Sequence, residues 1–419
     1  MDKLSKILKN EYIFSVTTKL STLAMTLVQS ILIARYLGAE LKGEYSYIYS
    51  IVSIASIIIT FGMHQAYPFF RKKMGKAEIY KDFISIIYAV YFLYLIAAII
   101  ISFGFIHDME LRTAIILTPI YGYERVIAYV YLIEEPNKRN KWWTIITFVD
   151  LVFVSALMVF TKRGFYSVVL ILAFAEISKA IVYTVLVSVK PSFNRKQIPL
   201  LGDLLRMGFF PMVALLMTTL NYKIDILMLK QFEFITAAQV GIYSVGMNFA
   251  DKIVLIPDSL KGVLVSKLSK GANEHEVAKV SRLCFWASVL VCAVLLLFGE
   301  PLLKILYGEE YDGAYSVLLI CAFGSIFIGY FKLIAQYNIV NRKQIRNVIL
   351  LSISVLINVV LNYLLIPRFG LNGAALASGV GYFLSGWVFI IWFAKSNEIK
   401  ISEMFIIQRT DLEFIRKTR

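Results

Sequence analysis

The sequence is poor in the residue types that build redox and metal centres. Its 419 residues include three cysteines and three histidines. Cys284, Cys292 and Cys321 all lie in apolar stretches, without CxxC spacing and without a histidine cluster nearby. This placement is typical of cysteines that pack in a protein interior. Neither a redox site nor a metal site is therefore expected.

Charge and nucleotide-binding motifs are also scarce. Charged residues make up 17% of the chain and hydrophobic residues 59%, and the mean hydropathy is +0.72. These values lie outside the range of soluble globular domains. No GxxxxGK[ST] run occurs, so direct use of ATP is not expected. We therefore expect an integral membrane protein without an extramembrane domain. Its first apolar run should be retained as a helix, because it is too long for a signal peptide.

Apolar runs of roughly 20 residues, enough to cross a hydrocarbon layer of about 30 Å, recur along the chain. Such runs must be helices, since each unpaired backbone group in lipid costs several kcal/mol. The twelve predicted spans are Tyr12 to Tyr36, Tyr45 to Phe70, Phe83 to Ile106, Thr113 to Ile133, Trp142 to Phe160, Phe165 to Val189, Leu204 to Leu229, Val240 to Leu264, Leu283 to Phe298, Ala314 to Val340, Val348 to Ile366 and Leu371 to Ala394.

The basic residues are distributed asymmetrically between the predicted loops. When loops are assigned alternately to two sides, 29 of the 43 lysines and arginines fall on the side of the termini and eight on the other. An excess of lysine and arginine marks the cytoplasmic side of a membrane protein. The net charge of +15 therefore reflects topology and contact with anionic headgroups, and no nucleic acid partner is expected. Both termini are predicted to be cytoplasmic.

Landmarks of the first half of the chain return in the second half. Asn137-Lys138-Arg139 follows the fourth span, and Asn341-Arg342-Lys343 follows the tenth. Because each half holds an even number of spans, both halves insert in the same direction. The predicted fold is an all-α integral membrane protein with 12 transmembrane helices in two six-helix lobes. The N-lobe comprises residues 1–203, the C-lobe residues 204–394, and a cytoplasmic C-terminal tail residues 395–419.

Several charged residues fall inside the predicted spans. A charge at the bilayer centre costs at least roughly 2.5 to 3.5 kcal/mol, so such groups normally face a protein interior or a wet cavity. The basic residues at depth are Lys19, Arg125, Lys179, Lys223, Lys252 and Lys332. The acidic or titratable ones are His64, Glu124, Asp150, Glu176, Asp225 and Asp251.

Each charge also has a structural explanation. Lys19 and Lys332 are placed so that their long side chains would reach the interface, and Glu176 and Lys179 would neutralise each other on one helix face. Arg125 and Lys252 are harder to explain in this way, because Lys252 lies roughly 18 Å along its span. We interpret both as cavity residues. An excess of cations in a cavity favours an anionic substrate such as a phosphate. Thr118-Pro119, Tyr67-Pro68 and Ile256-Pro257 are expected to kink their helices.

Three motifs resemble a known family. They are Ile33-Ala34-Arg35-Tyr36-Leu37-Gly38-Ala39, followed by Gly43-Glu44-Tyr45; Asp225 before Ile226-Leu227-Met228-Leu229; and Ile366-Pro367-Arg368-Phe369-Gly370-Leu371-Asn372-Gly373-Ala374-Ala375. Together with the length and span count, they are similar to polysaccharide exporters of the multidrug/oligosaccharidyl-lipid/polysaccharide (MOP) superfamily, which share a MATE-like fold. The resemblance covers nearly the whole chain.

The resemblance implies an O-antigen or capsular repeat-unit flippase in the bacterial inner membrane. Such a protein moves undecaprenyl-pyrophosphate-linked oligosaccharide between leaflets through a cationic central cavity, by alternating access. The positions that match the family's cavity helices are Lys19, His64, Lys223, Asp225, Asp251 and Lys252, with Arg35 at the outer mouth. With Arg125 added from its depth, the predicted substrate-binding residues are Lys19, Arg35, Arg125, Lys223 and Lys252.

The predicted ion-coupling residues are His64, Asp225 and Asp251, for a proton or a sodium ion, and no other cofactor is expected. Membrane lipids, a polysaccharide polymerase and a chain-length regulator are the expected partners. The main alternative is an exporter of drugs or other small molecules on the same fold, for which a more acidic cavity would be expected. A membrane polymerase or ligase is disfavoured because the outer loops are short, the longest being residues 299–313.

Overall fold

The computed structural model describes residues 11–192, 194–195, 197–269, 271–341, 343–408 and 411. Every regular element in these residues is helical, as the sequence predicts. The α-helices, in chain order, are α1 Glu11–Thr60, α2 Met63–Met74, α3 Lys76–Phe105, α4 Met109–Glu134, α5 Pro136–Phe160, α6 Phe165–Val187, α7 Gln197–Leu229, α8 Ala237–Ala250, α9 Leu255–Ser269, α10 Glu274–Tyr307, α11 Ala314–Val340 and α12 Gln344–Ser396. Short 3₁₀ turns cover Asp251–Val254, Glu309–Tyr311 and Ile401–Met404.

Eight helical segments of the described chain are long and apolar enough to cross a membrane. Their surfaces expose large apolar side chains, among them Phe160 at 83% and Leu297 at 74%, which a bilayer would cover. α4 is not one of the eight, because tyrosines and the Glu124-Arg125 pair lower its hydropathy. The number of twelve crossings and the side of each terminus stay predictions.

Glycines interrupt the two longest helices, α1 and α12. Gly38 in α1 has φ 72° and Gly370 in α12 has φ 56°, a region that only glycine adopts without strain. Each break falls between two predicted spans. The break before Pro257 follows from the missing proline N–H, which leaves the carbonyl of Ile253 without its helical donor. The 3₁₀ turn Asp251–Val254 lies at this point.

The first compact unit comprises Met1–Leu216. One core cluster joins α2, α3, α4 and α6 through aromatic side chains, including Tyr67, Phe83, Tyr131 and Tyr183. A second cluster joins α1, α4, α5 and α6. The middle of α4 is thereby packed on several sides, which places Glu124 in the interior of the unit at 5% exposure.

The second compact unit comprises Met217–Arg419, so the division falls inside α7. The lobe boundary and the separate tail given above stay predictions. In this unit α11 packs against α8, α9, α10 and α12. Small residues allow the close approach of α12: a Cβ atom added to Gly324 would lie 2.2 Å from the carbonyl oxygen of Gly379. These contacts make α11 the central helix of the unit.

Candidate functional site

Asp225 lies in a fully buried polar pocket of the second unit. Its Oδ2 accepts a hydrogen bond from the Tyr243 hydroxyl of α8 and another, 2.9 Å long, from the Ser378 hydroxyl of α12. Its Oδ1 has no hydrogen-bond partner, and the side chain is 0% exposed. A buried carboxylate oxygen without a donor is costly, so this atom is suited to bind a cation or a proton.

Amides and hydroxyls extend this polar region along α7 and α12. Asn221, one helical turn before Asp225, donates to the Ser385 hydroxyl at 3.4 Å. Asn362 donates to Asn358 Oδ1 at 2.8 Å, and both asparagines are 0% exposed. The sequence analysis did not identify these residues. Their signal is the four-residue spacing of Asn358 and Asn362, which places two amides on one face of an otherwise apolar helix.

Asp251 and Lys252 lie where α8 gives way to α9. The 3₁₀ turn that contains them interrupts the regular helix, and Asp251 Oδ1 is buried without a hydrogen-bond partner. The Asp251 carboxylate interacts electrostatically with three lysines, most strongly with Lys223, less with Lys332 and least with Lys252. Lys223 also interacts with Asp225. The structure therefore brings Lys223, Asp225, Asp251 and Lys252 together in one unit.

Lys332 is neutralised within the same region. Its Nζ lies 2.7 Å from Asp258 Oδ2, and Lys261 lies 2.6 Å from the other oxygen of that carboxylate. Lys252, by contrast, has no carboxylate oxygen within 4.0 Å among the described residues. Asp258 thus compensates Lys332, whereas Lys252 forms no ion pair among the described residues.

His64 and Arg125 lie together in the first unit. His64, on α2, is 4% exposed, packs edge-on against Tyr129 with ring centroids 5.0 Å apart, and has no partner for Nδ1. Arg125, on α4, is half-buried and interacts electrostatically with His64. No carboxylate of the described chain lies within 4.0 Å of Arg125.

The remaining candidates are less informative about a site. Arg35 is exposed on α1, three residues before the Gly38 break. The Lys19 side chain lies outside the described residues. The expected Glu176–Lys179 ion pair is present at 2.9 Å. Among the described residues, no group of three or more histidine, cysteine, aspartate or glutamate side chains is placed to hold a metal ion.

Residues 8–250, more than half of the chain, match the family described as "Polysaccharide biosynthesis protein". The chain belongs to this family. The predicted resemblance is confirmed at the level of the family. The match includes the first of the three motifs and reaches Asp225.

Two curated relatives match part of the chain. One is the uncharacterized membrane protein MJ1068 of Methanocaldococcus jannaschii, 27% identical over 237 residues, covering 54% of this chain and 45% of that protein. The other is the capsular polysaccharide biosynthesis protein CapF of Staphylococcus aureus, 32% identical over 130 residues, covering 28% of this chain and 31% of that protein. The chain thus matches less than half the length of either relative.

Solved structures of transporters share the fold. The lipid II flippase MurJ, in an inward closed conformation, matches 94% of this chain and 89% of its own with a TM-score of 0.75 at 16% identity. An inward-facing multidrug resistance MATE family transporter of the MOP superfamily matches 91% of this chain and 95% of its own with a TM-score of 0.65 at 13% identity. The predicted MOP fold is confirmed.

Proposed function

We propose that this polysaccharide-family transporter is a flippase for undecaprenyl-pyrophosphate-linked oligosaccharide, the repeat unit of an O-antigen or a capsule, in a bacterial inner membrane. Substrate would move by alternating access through a cationic central cavity. The capsular polysaccharide name of one relative and the lipid II flippase name of a structural neighbour support this class of substrate. The choice among substrates depends on the charges inside the spans.

Arg125 and Lys252 carry the proposal. Neither has a carboxylate oxygen within 4.0 Å among the described residues, although both fall inside spans predicted from the sequence. Lys179 and Lys332, in comparable positions, are each paired to a carboxylate. A charge in the membrane without a counter-ion is expensive, and a diphosphate would supply the missing negative charge. We therefore assign contacts with the anionic substrate to Arg125 in the first unit and to Lys252 in the second.

An ion would drive the cycle at Asp225. The supporting observation is its buried Oδ1, which accepts no hydrogen bond while Tyr243 and Ser378 donate to the other oxygen. Neutralising this carboxylate by a proton or a sodium ion would remove the cost of its burial. His64 and Asp251 stay further candidates for the same role, since each also has a buried atom without a partner.

Reconstitution of the full-length protein in proteoliposomes tests the proposal. Lipid-linked oligosaccharide would be supplied in one leaflet, and its appearance in the other followed with an impermeant glycan-cleaving enzyme. Hydrogen bonds to charged groups contribute about 1.5–3 kcal/mol. Lys252→Ala and Arg125→Ala should each weaken apparent affinity about tenfold or more. Lys252→Arg should retain part of the activity, because it keeps the charge.

Two control variants test whether an effect on transport is specific to Arg125 and Lys252 or follows from the removal of any positive charge. Lys162→Ala removes an exposed lysine of the first unit, and Lys261→Ala removes a lysine already paired to Asp258; both should transport normally. Wild-type rates in folded Lys252→Ala and Arg125→Ala would contradict the proposal. Movement of small organic cations, with none of the lipid-linked sugar, would instead indicate a drug exporter.

A further inference from the structure

Three carboxyl groups and one lysine are buried close together in the first unit. Glu124 of α4, Asp150 of α5 and Glu176 of α6 are 5%, 4% and 7% exposed. Lys179 Nζ lies 2.9 Å from Glu176 Oε1, and the Ser178 hydroxyl donates to Asp150 Oδ1 at 3.2 Å. Glu124 Oε1 has no hydrogen-bond partner, so Glu124 is the least compensated of the three.

The nearby cations do not neutralise Glu124. Of the described basic residues, only Lys179 lies within 4.0 Å of any of the three carboxyl groups, and it pairs with Glu176. Arg125 and Arg139 act on Glu124 only at longer range, and the Arg139 guanidinium lies 4.4 Å from the centroid of the Trp143 ring. An ionised carboxylate buried without a hydrogen-bonded counter-charge is strongly disfavoured.

A tyrosine hydroxyl provides independent support. Tyr183 of α6 is 0% exposed, and its hydroxyl has no hydrogen-bond partner although it interacts electrostatically with Glu124 and Lys179. The other tyrosines that face the carboxyl and lysine groups are Tyr45 and Tyr49 of α1 and Tyr121 of α4. The first unit thus holds a buried donor without an acceptor and a buried acceptor without a donor, close enough to interact electrostatically, and a water molecule between such groups could carry a proton.

We propose that Glu124 is a proton-binding residue of the first unit. In the proposed resting state the Glu124 carboxyl carries a proton, while Lys179 pairs with Glu176 as observed. Release of the proton leaves two carboxylates that compete for one ammonium, and Lys179 then shifts toward Glu124. The proton goes to water, and no other bond is made or broken. The protonation state of Glu124 on α4 thus determines whether Lys179 keeps its ion pair with Glu176 on α6.

This inference differs from the ion coupling at Asp225, which lies in the other unit. It does not require that the substrate is a lipid-linked sugar. Its test therefore uses a spectroscopic signal of the carboxyl group and not transport. If transport of the lipid-linked sugar fails while the signal behaves as expected, the proposed function fails and the proton site stands.

Infrared spectroscopy of the purified full-length protein in lipid nanodiscs tests the site. A buried protonated carboxyl group gives a C=O stretching band that is separate from the amide bands. We expect this band at neutral pH, with a component that disappears in Glu124→Gln. Glu40→Gln, which changes an exposed glutamate of the same unit, should leave the band unchanged. A band of equal area in wild type and Glu124→Gln would overturn the proposal.

Two further variants test the role of Lys179 and remain informative if Glu124→Gln does not fold. Glu176→Gln releases Lys179 to pair with Glu124, so the Glu124 component should be lost at neutral pH although Glu124 is present. Lys179→Met removes the shared ammonium, so the band should grow as Glu176 also binds a proton. A band that stays unchanged in both folded variants would contradict the exchange of Lys179 between the two carboxyl groups.

Discussion

Arg282 at the start of α10 and Asp411 near the end of the chain form a buried bidentate ion pair. Arg282 Nε donates to Asp411 Oδ2 and Nη2 to Oδ1, both at 2.7 Å, and the two residues are 2% and 1% exposed. The same guanidinium donates to the carbonyl of Glu403. Arg282 thus holds both Glu403 and Asp411 against α10.

Removal of one partner should destabilise this unit. Breaking a buried pair leaves an uncompensated charge and costs about 3–5 kcal/mol. We expect Arg282→Ala to cost about 3 kcal/mol, at the lower end of this range, because Lys279 also interacts electrostatically with Asp411. A thermal unfolding series in detergent measures the loss. Lys279→Ala, on the same helix, should have a much smaller effect, and an equal effect would contradict a specific role for the pair.

The same pair predicts a stability change at acidic pH. Burial alone would raise the pKa of the Asp411 carboxyl, but hydrogen bonds from Arg282 and from the Gln408 N–H outweigh it and lower the pKa below the usual range. A lowered pKa in the folded state contributes stability above the unfolded value of about 4, and this contribution is lost as the pH falls through the folded pKa. The unfolding temperature of the wild-type protein should therefore decrease below about pH 4.

Asp411→Asn is the comparison for that titration. The variant should be less stable at neutral pH and should lack the part of the acid dependence that comes from Asp411. The two unfolding temperatures should therefore approach each other as the pH falls. A constant difference between them at all pH values would show that Asp411 does not titrate in this range.

Close packing of α11 on α12 predicts a steric effect at Gly324. A Cβ atom there would lie 2.2 Å from the carbonyl oxygen of Gly379, and backbone atoms of a packed helix move little. Overpacking of this kind costs about 1–3 kcal/mol. Gly324→Ala should therefore lower the unfolding temperature. Gly104→Ala is the control, because a Cβ at Gly104 meets no atom within 4 Å.

Patterns among residues close in sequence predicted much of the fold. Runs of apolar residues located the helices, and the breaks at Gly38 and Gly370 fall between predicted spans, at glycines whose positive φ interrupts the helix. The turn that holds Asp251 and Lys252 follows from Pro257, as expected for a residue without an N–H. These features depend on residues close in sequence.

Pairing between distant helices was not predictable in the same way. Glu176 and Lys179 are three residues apart, so their ion pair follows from helix geometry. Lys332 and Asp258 are 74 residues apart, and nothing in the sequence indicated that α9 would place a carboxylate against α11. The Ser378 donor to Asp225 lies on α12 and depends on the packing of the whole unit. Separating paired from unpaired charges therefore required the structure.

Asp225 gives the last prediction. Tyr243 and Ser378 donate to one carboxylate oxygen, and the other has no hydrogen-bond partner, which is the basis for the proposed coupling role. Asp225→Asn removes the negative charge and should abolish the dependence of transport on the driving ion gradient while the protein still folds. Transport assays with a proton gradient alone and a sodium gradient alone identify the ion. Asp312→Asn, which changes an exposed aspartate of the same unit, should keep wild-type coupling, because its charge contacts no buried site. Gradient-driven transport that persists in Asp225→Asn would transfer the coupling role to Asp251 or His64, whose buried unpaired atoms make them the remaining candidates.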